Sequence, residues 1–154
     1  MDLLCDEMLR NLGRWLRAAG HDTVIAERGQ SDHDLLARAR RENRVLLTRD
    51  RHLARIAPAA SCMLLLELDD LDAQARALRT RLGLEWLFAP FTRCMIDNAV
   101  LLVAGPEDAA RIPATARTND DALRYCPVCG RVYWPGGHVR RMRARLERWQ
   151  QAVS

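Results

Sequence analysis

Short apolar runs alternate with amphipathic stretches along the first ninety residues of the chain. Leu3, Leu4 and Cys5 make the first run, of a length that suits a buried strand. Met8, Leu9, Leu12, Trp15, Leu16 and Ala19 then recur at helical spacing until Gly20 stops the helix. Residues 23–26 read as a second strand. After Gly29, Ser31 is placed to cap a helix that carries Leu35, Leu36 and Ala39 on one stripe. A third strand is predicted over 45–48, a short helix over 52–56, a fourth strand over 62–66, and a helix over 71–82 closed by Gly83. Strands separated by helices in this rhythm predict an α/β fold, a parallel sheet flanked by helices with right-handed crossovers. In such sheets the working groups collect beyond the carboxyl ends of the strands.

From Phe91 onward the rhythm breaks. Residues 91–94 and 100–103 could pair as a hairpin, and 105–122 carry the Pro, Gly and polar residues of a linker. A cysteine knuckle, Y-C-P-V-C-G, follows, and the chain closes on a helix predicted over 139–151. The expected division is therefore residues 1–88 as the sheet domain and 91–154 as a small module with a basic terminal helix. A module of that size cannot bury enough apolar area to stand alone, so a metal or docking on the sheet must hold it together.

Composition removes several alternatives. About half of the residues are apolar (49%) and 29% are charged, the balance of a folded protein. No apolar run approaches a membrane span, and the N-terminus M-D-L-L-C-D-E places acids where a secretion signal needs a basic region, so a cytoplasmic protein is expected. Five cysteines, an odd number, do not read as a disulfide framework. Cys5 and Cys62 lack partner spacing and are expected as buried apolar thiols. All 24 Lys and Arg positions are Arg, which excludes a P-loop nucleotide site or a Schiff-base enzyme, both of which need lysine. Residues 1–90 hold 14 Arg against 14 acids, whereas residues 91–154 hold 10 against 6, so the net charge of +4 belongs to the C-terminal part.

The acids of the first part are patterned. Asp6 and Glu7 follow the first strand, Asp32 and Asp34 open the helix after the second, and Asp50 follows the third. Three segments thus bring carboxylates to one edge of the predicted sheet, where their mutual repulsion calls for a cation. Mg or Mn suits all-oxygen ligands and keeps waters for reaction. The plainer alternatives are that Asp32 or Asp34 is a helix cap and Glu7 a first-turn acid favoured by the helix dipole. Asp69, Asp70 and Asp72 read as a turn and a helix cap.

The order C-D-E-M-L-x-x-L-x-R-W-L-R-x-x-G-H-D-T, then S-D-x-D-L-L-x-x-A, then R-V-L-L-T-R-D-R-x-L resembles the PIN-like ribonuclease domain known as the Mut-seven C-terminal RNase domain. The end of the chain, C-P-V-C-G-R-V-Y-W-P-G-G-H-V-x-R-M, is similar to the zinc-ribbon tail of that family. The resemblance implies a PIN fold and a metal-dependent ribonuclease, a hydrolase acting on RNA phosphodiester bonds. It makes Asp6 and Asp50 ligands of Mg or Mn, with Asp32 or Asp34 completing the catalytic acidic set and Glu7 a further candidate. Arg10, Arg14 and Arg17 fall on or near one side of the first helix, and Arg49 and Arg51 flank Asp50, where guanidinium groups could hold phosphates.

The family's ribbon has two C-x-x-C knuckles. Here the upstream one reads R-C-M-I-D-N, with Asp97 where the second cysteine is expected. Cys94, Asp97, Cys126 and Cys129 could hold Zn, with His138 as a rival fourth ligand, or the site has degenerated. Arg140, Arg141, Arg143, Arg145 and Arg148 spread around the last helix beside an apolar stripe of Met142, Leu146 and Trp149. With Tyr133 and Trp134 nearby, Arg140 and Arg141 could track an RNA backbone, including structured RNA such as tRNA, although Trp134 is expected to pack rather than stack. Two other readings stay open: an RNA-binding module without turnover, and a PIN-type toxin of a toxin–antitoxin pair restrained by a protein partner.

Overall fold

The computed structural model describes residues 1–57, 62–110, 112 and 123–152. Four parallel strands, β1 (Asp2–Cys5), β2 (Asp22–Ile25), β3 (Val45–Thr48) and β4 (Met63–Leu65), form a sheet in the order β2-β1-β3-β4. A 3-10 turn (Glu7–Leu9) leads into α1 (Arg10–Ala18), and α2 (Asp32–Arg41), α3 (Arg51–Ile56) and α4 (Leu71–Leu82) follow the later strands. Each of these elements lies where the apolar pattern places it, to within a residue or two.

The alternation of side chains along a strand divides the core in two. Leu3, Cys5 and Leu47 face one side, with Leu12 and Leu16 of α1 and Ala75 and Leu78 of α4. Leu4 and Leu46 face the other, with Leu35 and Ala39 of α2 and Leu53 of α3. Because β1 and β3 are central and covered on both faces, they read as apolar runs rather than as alternating patterns. From β1 the chain moves outward to β2 over one face, then returns past β1 to β3 over the other. Crossovers of one hand that travel in opposite directions must use opposite faces. The direction therefore reverses between β1 and β3, which opens a crevice at their carboxyl ends.

The C-terminal part has a second sheet, antiparallel, in the order β5-β6-β7, from Leu102–Val103, Arg124–Tyr125 and Val132–Tyr133. The hairpin expected from residues 91–103 reduces to one bridge, Arg93 to Val100, because Leu102 and Val103 pair with Tyr125 and Arg124 instead. Within the expected linker the helix α5 (Pro106–Ala109) forms, while residues 111 and 113–122 of that expectation lie outside the described residues.

The sequence pattern places the last helix, α6 (Gly137–Gln151), with the small module, yet Leu146 and Trp149 enter the core formed by α1 and α4. The Trp149 ring lies between Trp15 and Trp86, at centroid distances of 5.0 and 4.7 Å. Its indole N–H donates to Asp72 Oδ1 at 2.7 Å, and Arg145 donates to the same oxygen.

Residues 93–98 are stitched to the free edge of β2. Arg17, only 6% exposed, donates from Nε to the Thr23 carbonyl at 2.8 Å and from Nη1 to the carbonyls of Met95 and Ile96 at 3.1 and 2.9 Å. The Asn98 side chain accepts the Thr23 N–H at 3.0 Å and donates to Asp22 Oδ1 at 2.7 Å, supplying to an edge strand the partner another strand would give. At the end of α1 the chain runs close beneath the segment after Trp86. Gly20 has φ +96°, and a Cβ there would lie 2.3 Å from the Ala89 carbonyl oxygen, so only glycine fits.

Candidate functional site

Asp6 and Asp50 stand on the two sides of the crevice, at the ends of β1 and β3, and are joined through Thr48. Asp6 is 5% exposed and caps the 3-10 turn, with Oδ1 accepting the Met8 N–H at 2.9 Å. Its Oδ2 accepts the Thr48 hydroxyl and, at 3.3 Å, the Arg49 N–H. The same Thr48 hydroxyl oxygen accepts the Asp50 N–H at 2.9 Å. Asp50 in turn caps α3, its Oδ1 accepting the His52 N–H at 2.8 Å. Both strand-end acids thus take the capping role that the sequence offered to Asp32 and Asp34. Ser31 caps α2, accepting the Asp34 N–H at 3.1 Å.

A small pocket of about 80 Å³ brings Asp6, Glu7, Asp32 and Asp50 together with Glu27 and Gln30. Asp34 is exposed and does not line it. Glu27 and Gln30 were not singled out from sequence, although the strand-end rule, applied one residue past Ala26, reaches Glu27. Among the described residues no three of these acids bring carboxylate oxygens within 4.8 Å of one another. The arrangement suits a cation that keeps most of its water and takes one or two carboxylates directly, the habit of Mg, rather than a dehydrated cage. Gln30 Oε1 is buried with no hydrogen-bond partner among the described residues, an acceptor that such water could satisfy. The donor set therefore fits Mg or Mn.

Of the arginines expected around this edge, Arg10 and Arg14 are exposed. Arg17 instead turns inward, because it lies one turn from Gly13 on the buried side of α1 and its donors meet backbone carbonyls. Arg49 pairs with Asp69 and Arg51 with Glu67. Asp70 caps α4 through the Ala73 N–H. Arg140 and Arg141 are exposed on the first turn of α6.

The second candidate centre is in the small module. One ligand atom from each of Cys94, Asp97, Cys126 and Cys129 lies within 4.8 Å of the others. The Cys94 and Cys129 sulfurs are 3.8 Å apart, and Cys126 Sγ is 3.2 and 3.3 Å from the Asp97 oxygens. A tetrahedron with arms of about 2.3 Å has edges of about 3.8 Å, so the four residues could hold a metal such as zinc. Burial pushes the Cys126 thiol up to about 11. Burial also opposes ionisation of Asp97, but the Ala99 N–H and the three thiols outweigh it and hold the carboxyl below its ordinary range. A half-buried carboxylate facing three cysteine sulfurs is a donor set that a cation could take up by displacing protons from the thiols.

His138, the rival fourth ligand, is exposed and outside this group. The Tyr133 hydroxyl lies 3.1 Å from Cys94 Sγ and accepts the Met95 N–H, so this ring supports the cluster. Trp134 packs partly against Ile112, Leu123 and Val132. Cys5 is fully buried, and burial raises its thiol pKa well above the ordinary value. Cys62, expected buried, is exposed, because β4 begins one residue later.

No helix among the described residues is long and apolar enough to cross a membrane. The family model described as the Mut7-C RNAse domain matches residues 1–146. No curated protein and no solved structure matches the chain.

Proposed function

The chain belongs to the Mut7-C RNAse domain family, and on that premise we propose that it is a metal-dependent ribonuclease whose centre is the acidic pocket between β1 and β3. The observation that carries the reading is the delivery of Asp6, Asp32 and Asp50 by three separate segments to one pocket at the reversal point of a parallel sheet. Asp6, Asp50 and Asp32 would hold Mg or Mn, with Glu7 and Glu27 beside them. The ion, when bound, makes water more acidic and offsets the charge that develops on phosphate oxygens.

The chain's own residues supply the geometry. Asp6 has both oxygens fixed by donors, which leaves it a rigid ligand, and Thr48 keeps Asp50 in step with it. Asp50 Oδ2 receives no hydrogen bond from the described residues and is the freest carboxylate oxygen of the pair. Arg10 and Arg14, exposed on α1, are candidates to hold the RNA backbone, since a guanidinium matches a phosphate in paired hydrogen bonds. In the small module, zinc held by Cys94, Asp97, Cys126 and Cys129 would fix the two knuckles, and Arg140 and Arg141 would add backbone contacts.

One observation favours a second reading, an RNA-binding module without turnover: Asp6 and Asp50 already work as helix caps and would be explained by that alone. Cleavage of single-stranded and structured RNAs by the wild type and by Asp50→Asn separates the two. A nuclease gives products that require both Mn and Asp50. RNA that is bound and never cut under any condition, or cut equally by Asp50→Asn, overturns the assignment.

A further inference from the structure

A cavity of about 550 Å³ lies beside the Cys/Asp cluster and, among the described residues, shares no lining residue with the acidic pocket. Its apolar wall comes from Met95 and Ile96 of the first knuckle and from Val132. Trp134 and Arg131 flank that wall, and the first turn of α6 closes the cavity. We propose that this cavity receives one nucleotide of a single-stranded RNA, with its base between the apolar wall and Trp134 and its phosphate against Arg131 and the start of α6.

The occupant is argued from volume, wall chemistry and charge. The volume is that of a small-molecule site rather than of a protein groove. Among the described residues no acid lines the cavity and two cationic or imidazole side chains do, Arg131 and His138, and the segment 91–154 around it carries the whole net positive charge of the chain. A polyanion complements that field, and an apolar slot with one indole adds a place for a base, the pairing of features by which single strands are held. The wall is built for the indole. A Cβ on Gly136 would lie 2.8 Å from Trp134 Nε1, so glycine there lets the ring rest against the chain. Gly136 is also the N-cap of α6 and offers no side chain to its amides, which leaves the first-turn N–H groups to an outside acceptor. The Tyr133 hydroxyl is committed to Cys94 and Met95 and offers the base no hydrogen bond. A base still paired in a duplex could not enter, so the site selects single strands.

The inference rests on the ribonuclease reading and deepens it by naming the substrate class. The test uses the full zinc-loaded chain carrying Asp50→Asn, which keeps the RNA intact, and a fluorescein-labelled oligouridine of about 12 nucleotides against a duplex of equal length. Single strands should bind at least about tenfold more tightly than the duplex. Trp134→Leu should weaken single-strand binding by about tenfold. Arg131 is exposed, so Arg131→Glu keeps the fold, and it should weaken binding while lowering the slope of affinity against salt by about 1. A 4-thiouridine in the oligomer should cross-link within residues 95–96 or 131–139. Equal binding of duplex, an Arg131→Glu chain with unchanged affinity and slope, or cross-links only elsewhere overturns the proposal. Cleavage of the same oligomer by the chain with Asp50 intact separates the two ideas. Normal cutting by the cavity variants with unchanged binding sinks the cavity and leaves the nuclease. Cutting that ignores Asp50, together with binding that depends on Arg131 and Trp134, sinks the acidic site and leaves the cavity.

Discussion

Thr48 is fully buried, and its hydroxyl is spent twice, as donor to Asp6 and as acceptor from the Asp50 N–H. Replacing it with Val keeps the shape and removes both bonds. The stability cost should be about 1 to 3 kcal/mol, the range for a hydrogen bond lost from a buried charged group. Activity should fall further, by about 10- to 100-fold, as for loss of an outer partner of a metal ligand, and Thr48→Ser should restore most of it. Urea titration beside RNA cleavage checks this; loss of activity in step with the folded fraction alone would leave Thr48 a purely structural residue. At this scale the sequence was legible in part. Asp6 and Asp50 follow apolar runs and could be placed by the strand-end rule, and Glu27 could have been. Thr48 could not, because a threonine ending a strand is ordinary until its neighbours are known. Arg17 illustrates the other limit: spacing on a helix puts it near Arg10 and Arg14, but one turn from Gly13 is already the buried side.

Among elements, the four strands and their helices are legible because burial on both faces writes a continuous apolar run, and an amphipathic stripe marks each helix. The stripe of α6 says that one face is buried, not what buries it, so the helix was read with the module beside it in sequence. Its Trp149 makes the difference testable. Trp149→Ala should destabilise the sheet domain by about 3 to 5 kcal/mol, the range for deleting a large aromatic from a core. A chain ending at Pro135 should fail to fold rather than yield an intact sheet. Equilibrium urea unfolding followed by far-ultraviolet circular dichroism decides it; an unchanged midpoint would return α6 to the module. The knuckles give a second element-scale prediction. Asp97→Cys should slow zinc loss to a chelator, since thiolate is the more usual structural ligand, whereas Asp97→Ala should lower the zinc content of the purified protein. Metal analysis with equal zinc in both variants would remove Asp97 from the ligand set.

At the scale of the whole molecule, Asp22 and Asp72 join the C-terminal part to the sheet alongside Arg17 and the packing of Leu146 and Trp149. Burial pushes the Asp22 carboxyl up, but hydrogen bonds from Arg44 and Asn98, with the charges of Arg44 and Arg93, outweigh it and hold the group below its ordinary value. The Trp149 indole N–H, and then Arg145, do the same for Asp72 against a smaller burial effect. A folded pKa lower than the unfolded one stabilises the native state at any pH above about 4, and that contribution is lost as pH falls through the lower, folded value. Asp22 faces the segment 93–98, and Asp72 faces α6. Acid should therefore loosen the C-terminal part from the sheet below about pH 4, seen as a shift in tryptophan emission and faster amide exchange over residues 93–98. In a zinc-loaded chain, protonation of Cys94, Cys126 and Cys129 would act in the same direction, so the acids are isolated by substitution at neutral pH. Asp22→Asn and Asp72→Asn should each lower stability at pH 7 with the zinc content unchanged and flatten the acid branch of the stability curve. A double variant whose stability still falls as steeply as the wild type between about pH 4 and pH 2 would show that the joint is carried by apolar packing around Trp149 and by Arg17 alone.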